Sequence, residues 1–163
     1  MGVIAARPVL RLSCLALLAA VAAGAWASPP APLPAFDLVS LEGQAVPGAP
    51  LAREGRWLLV YVSPHSGASR PLLQALEGTE EASRPNVLIV VGSEPADAKA
   101  MAAGFEGRLE AAWYADPDGA ARRALGLTGV PVVLGLRGRS IQWTLSGGVS
   151  DRRTLRSILV SWR

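Results

Sequence analysis

Two short and almost uninterrupted apolar runs constrain this chain more than any other feature. Trp57-Leu58-Leu59-Val60-Tyr61-Val62 and Val87-Leu88-Ile89-Val90-Val91 contain no charged residue and no polar alternation. Runs of that length, rich in β-branched and aromatic side chains, read as strands covered on both faces. A strand covered twice needs helices on each side of its sheet, so the segments between these runs have to supply them.

The intervening sequence carries helix signals in the right places. Ser63-Pro64 ends the first run, and a helix is expected from Ser66 to Glu77 with Leu72, Leu73 and Leu76 on one face. A second helix is expected from Pro95 to Phe105, with proline in its first turn and Gly104 or Gly107 near its end. Ala112 to Ala115 reads as a short strand, and Asp116-Pro117-Asp118-Gly119 as a turn feeding a helix that ends near Leu125. Gly129-Val130-Pro131 leads into a strand over Val132 to Leu136. Arg137-Gly138-Arg139 then turns the chain into a strand over Ser140 to Leu145, which Gly147-Gly148 breaks. The closing helix is expected to be capped by Ser150 or Asp151 and to bury Leu155, Ile158 and Leu159. Upstream, Phe36 to Val46 predicts a short hairpin or extended edge, with Glu42-Gly43 at its turn. Right-handed crossovers make the first part a parallel unit, and the late hairpin adds an antiparallel edge. The predicted class is a three-layer α/β/α domain with a mixed sheet.

The N-terminus has a different character. Arg7 and Arg11 precede an apolar run from Leu12 to Ala25, and Ala25-Trp26-Ala27 offers small residues at a signal-peptidase site. The run is shorter than the roughly 18 to 20 residues that span a bilayer comfortably. Residues 1–27 are therefore read as a signal peptide, with an uncleaved anchor as the alternative, and export to the bacterial periplasm follows. Cys14 lies near the start of the apolar run rather than after it, which argues against a lipidated cysteine. Ser28 to Pro34, SPPAPLP, reads as an extended proline-rich spacer, and residues 35–163 as the folded domain.

Composition then removes several kinds of chemistry. Cys14 is the only cysteine, so the exported part has no disulfide and no reactive thiol in a compartment that permits both. His65 is the only histidine, which argues against an imidazole metal site. No metal and no cofactor are expected. Without Arg7 and Arg11, 14 basic residues face 13 acidic ones, and the arginines are scattered. Nucleic-acid binding calls for a concentrated basic stripe, so none is expected.

From about Pro34 to Arg163 the chain resembles the thioredoxin superfamily, in particular exported TlpA-like or redoxin-type proteins. Pro34-Ala35-Phe36-Asp37-Leu38 through Gly43 resembles the family's opening, and Trp57 to Val62 its first core strand. Asp116-Pro117-Asp118-Gly119 and Leu125-Gly126-Leu127 resemble the approach to its cis-proline loop, and Gly129-Val130-Pro131 the loop itself. The Gly-Val pair near the closing helix is similar to that of methylamine-utilisation accessory proteins. The family's redox motif, Pro-x-Cys-x-x-Cys followed by a basic residue, corresponds here to Pro64-His65-Ser66-Gly67-Ala68-Ser69-Arg70.

Serine at both cysteine positions decides the chemistry. The family's first cysteine is activated as a thiolate at a helix N-terminus, and the second resolves a mixed disulfide. Oxygen forms no such intermediate, so no thiol–disulfide oxidoreductase activity is expected and no catalytic residue is assigned. Ser66 is expected to act as a helix N-cap and Ser69 as a partly buried small residue. The resemblance implies a cis Val130–Pro131 bond whose backbone pairs with an extended peptide; the alternative is an ordinary strand-start proline. Trp113 and Tyr114 are expected in the core. The favoured function is a binding module that uses His65, Ser66, Ser69, Val130 and Pro131 to hold a partner protein or extended peptide during periplasmic assembly. A hydroxyl-dependent enzyme that binds a thiol such as glutathione through Ser66 is one alternative, and a degenerate structural domain of a larger complex is the other.

Overall fold

The computed structural model describes residues 30–48, 53–77, 86–147 and 152–162. The apolar leader and the Ser150 or Asp151 cap lie outside them. Among the described residues no helix is long and apolar enough to cross a membrane.

The elements run β1 (Ala31–Pro32), β2 (Asp37–Val39), β3 (Ala45–Pro47), β4 (Arg56–Val62), α1 (Ser69–Leu76), β5 (Asn86–Val91), α2 (Pro95–Ala103), β6 (Ala112–Ala115), α3 (Ala120–Ala124), β7 (Val132–Arg137), β8 (Ser140–Ser146) and α4 (Arg152–Ser161). One eight-stranded sheet has the order β1-β8-β7-β4-β5-β6-β2-β3. The two apolar runs are its centre: β4 and β5 pair in parallel, Trp57 opposite Asn86 through Val62 opposite Val91. β6 continues the parallel part, while β7 lies antiparallel to β4 and β8 antiparallel to β7. The early hairpin forms as β2 and β3, with the Ser40 hydroxyl accepting the Glu42 and Gln44 N–H groups at its turn.

Alternate residues of β4 supply two cores. Leu58, Val60 and Val62 pack with Leu72, Leu73 and Leu76 of α1, Ala98 of α2, and Leu155 and Leu159 of α4. Trp57, Leu59 and Tyr61 face the opposite side, with Ala121 of α3 and with Leu33, Phe36 and Leu38 from the N-terminal arm. Helices thus cover both faces of a mixed sheet, as the apolar runs require. Trp113 stacks on Phe105 with ring centroids 6.1 Å apart in the first core, and Tyr114 packs against the second. Ile158, expected in the core, is only half-buried.

The stretch read as a spacer is partly built into the fold. Ala31 and Pro32 pair with Ile141 and Ser140 of β8. Leu33 is 4% exposed, and its N–H donates to the Arg139 carbonyl across 2.7 Å. Prolines suit such an edge, because an outward-facing position needs no N–H donor.

The first helix starts later than its apolar pattern suggests. α1 begins at Ser69, and its N-cap is Ala68, without a side-chain cap bond. Pro71 sets that limit. A helix capped at Ser66 would need the residue at 71 to donate to the Gly67 carbonyl, and proline has no N–H. Capped at Ala68, the helix holds Pro71 in its first turn, where the missing donor costs nothing.

Candidate functional site

Two tight turns carry the chain from β4 to α1. The Ser66 N–H donates to the Ser63 carbonyl at 3.1 Å, and the Ser69 N–H to the Ser66 carbonyl at 3.0 Å. The side chains brace the same turns: the Ser63 N–H donates to Ser69 Oγ across 3.1 Å, and the His65 N–H to Ser63 Oγ across 3.3 Å. Ser69 is only 1% exposed, fully rather than partly buried.

Ser66 does not serve as the N-cap. Its hydroxyl instead donates to the carbonyl of Val130, 64 residues away, at 3.2 Å. With the helix starting at Ser69, the Ser66 side chain is free to cross to the loop before β7. The Val130–Pro131 peptide bond there is cis. Pro131 is buried and Val130 half-exposed. The Pro131 carbonyl accepts the Gly147 N–H at 3.0 Å, which ties the loop to the end of β8. The expected constellation therefore divides. Ser66 and Val130 touch, Ser69 is buried and braces the turn through the Ser63 N–H, and His65 is an exposed side chain beside Ser66 in sequence.

The chemistry open to this arrangement is hydrogen bonding. A nucleophilic serine needs a base to take its proton, and the Ser66 proton is directed at a backbone carbonyl. The only imidazole belongs to the exposed His65, the immediate chain neighbour of Ser66.

A buried polar pair, which the sequence does not signal, joins β4 to the turn after β6. The Tyr61 hydroxyl donates to Asp116 Oδ2 at 2.8 Å, and both residues are nearly inaccessible, at 2% and 3% exposed. Asp116 also accepts the N–H groups of Ala121 and Arg122, each at 3.1 Å. It thereby satisfies two donors at the start of α3, whose N-cap is Gly119, a residue with no side chain and with φ at 67°. Burial, then the bond to Asp116, pushes the Tyr61 pKa well above its ordinary value. The Asp-Pro-Asp-Gly sequence signals a turn before a helix, but not that its first aspartate reaches back to β4.

No protein-family model matches the chain, and no curated protein matches it. Solved structures do. The fold is that of the thioredoxin-like proteins. A protein named as a DsbE-type thiol:disulfide interchange protein from Chlorobium tepidum superposes with a TM-score of 0.66 at 18% identity, covering 83% of this chain and 98% of its own. Peroxiredoxin 5 from Alvinella pompejana gives 0.64 at 12% identity over 82% and 98%. A secreted disulfide oxidoreductase from Mycobacterium tuberculosis gives 0.59 at 11% identity over 77% and 95%.

Proposed function

We propose that this protein is an exported, redox-inactive thioredoxin-like module that holds an extended segment of a partner protein against the face formed by His65, Ser66, Val130 and Pro131. One observation carries the reading: the hydroxyl of Ser66, which the sequence resemblance sets at the family's first cysteine position, donates to the carbonyl of a half-exposed residue next to a cis proline. Of the side chains on this face, Ser66 and His65 offer hydrogen bonds, Val130 and Pro131 offer apolar contact, and none offers a thiol. An extended peptide pairs through its backbone, and the Ser66 hydroxyl and the Val130 backbone are groups of that kind. Residues from Ser28 onward include no cysteine, so neither trapping nor release of a partner passes through a disulfide. Export is supported by the basic, apolar and small-residue pattern of residues 1–27, and a similar fold occurs in a protein described as secreted. The direction of the Ser66 proton weighs against a hydroxyl-dependent enzyme.

The test is photo-crosslinking in cells. A crosslinking residue replaces His65, with a control at Arg123, which is exposed on α3. A discrete adduct from position 65 alone is the expected result, and its identity names the partner. Adducts only from position 123, or from neither position, overturn the reading in favour of a structural role.

A further inference from the structure

A cleft of about 300 Å³ opens between α1 and α2, at the lower end of the size range of small-ligand pockets. It reaches Ser66, but neither Val130 nor Pro131 lines it. Asp97, Met101 and Gly104 form its α2 wall, on one helical face by their spacing. Leu73 and Arg70 of α1 stand opposite, and Phe105 completes the apolar lining.

The two ends of the cleft carry opposite charge. The Arg70 side chain reaches across to the end of α2, its Nη2 3.7 Å from where a Cβ on Gly104 would sit. Among the described residues no carboxylate pairs with Arg70. Asp97 stands in the first turn of α2, its Oδ2 accepting a hydrogen bond from the Ser93 hydroxyl. From Asp97 to Gly104 is seven residues, or about 10 Å along a helix at roughly 1.5 Å per residue. Leu73, Met101 and Phe105 lie among the residues lining the cleft with these two charged groups, and methionine adapts readily to different apolar shapes.

We infer that this cleft binds a short zwitterionic peptide of about three residues, with its carboxylate on Arg70, its ammonium group at Asp97, and an apolar middle side chain on Met101. The length follows from the span, because an extended chain covers about 3.3–3.6 Å per residue. The polarity follows from the fixed charges. An internal segment of a protein has neither terminus to offer, so such binding does not require a partner at Val130.

The test is calorimetric titration of the protein produced from the full-length chain with Ala-Leu-Ala at low ionic strength. Saturable binding with Kd on the order of 0.1–1 mM is expected. N-acetylation and C-amidation should each weaken it roughly three- to tenfold, the range of a partly exposed ion pair. In Arg70→Gln the amidated and free-acid peptides should bind alike. In Asp97→Asn the acetylated and free-amine peptides should bind alike. Both side chains are exposed, so both variants keep the fold. Absence of binding to the unmodified protein at millimolar peptide overturns the inference. So does an amidation penalty that persists in Arg70→Gln, or an acetylation penalty that persists in Asp97→Asn.

Discussion

The hydroxyl of Ser66 donates to the carbonyl of Val130 across 3.2 Å, joining the turn after β4 to the cis-proline loop before β7. The side chain of Ser66 thus makes a neutral hydrogen bond to the chain's own backbone. The bond closes one side of the Val130 carbonyl, while its second lone pair remains available to a peptide N–H.

Removing that bond should cost little. Ser66→Ala should lower unfolding free energy by about 1 kcal/mol, the usual net value of one neutral hydrogen bond. Denaturant unfolding measures it, with an unchanged m-value expected because the core is untouched. A loss above about 3 kcal/mol would mean that Ser66 holds the turn rather than the loop.

Introducing sulfur at Ser66 and Ser69 should introduce thiol chemistry. The Ser69 N–H bond to the Ser66 carbonyl, 3.0 Å long, closes a four-residue turn. Such a turn brings the end Cα atoms within about 7 Å, and disulfides need about 4.4–6.8 Å. The double variant Ser66→Cys, Ser69→Cys should form an internal disulfide on mild oxidation and gain measurable disulfide reductase activity. Free-thiol counting and insulin reduction read the two outcomes. A folded double variant whose thiols stay free would show that these serines do not occupy redox-motif positions.

The sheet is legible in the sequence because β4 and β5 are buried on both faces, which writes itself as unbroken apolar runs. Features set by distant pairing are not. The Tyr61–Asp116 bond joins residues 55 apart, and within its run Tyr61 reads simply as one more apolar position. The cleft between α1 and α2 has the same origin, since Arg70 and Gly104 meet only in three dimensions. Ala31 and Pro32 read as spacer because proline argues against strand, yet a two-residue edge pairing tolerates it. The late start of α1 is a different kind of miss. Pro71 carries the information, and the spacing of Leu72, Leu73 and Leu76 outweighs it when periodicity is read alone.

The buried tyrosine makes stability fall at alkaline pH. Tyr61 is neutral in the folded protein, and its pKa lies above that of the unfolded chain. As pH rises past about 10, the unfolded state loses its tyrosine proton first and is favoured. The stabilisation is therefore fully present below pH 10 and is lost progressively above it. Tyr61→Phe should flatten this alkaline fall and lower stability at pH 7 by about 1–3 kcal/mol, because Asp116 loses one of its donors. Unfolding midpoints of the two proteins from pH 7 to 11 test this. Parallel curves would sink the assignment.

The same hydroxyl dictates glycine at position 92. A Cβ built on Gly92 would lie 2.5 Å from the Tyr61 hydroxyl oxygen and 3.0 Å from its Cζ and Cε1 atoms. Tyr61 cannot retreat, because the bond to Asp116 and the surrounding core hold its ring in place. Gly92→Ala should therefore destabilise the protein by about 1–3 kcal/mol, the usual cost of overpacking a core. In a Tyr61→Phe background the worst contact disappears while the ring-carbon contacts remain, so the penalty should shrink without vanishing. A double-mutant cycle measures the difference, with a coupling of about 0.5–2 kcal/mol expected between residues in contact. Strict additivity would mean that the penalty at position 92 comes from its backbone and not from the tyrosine.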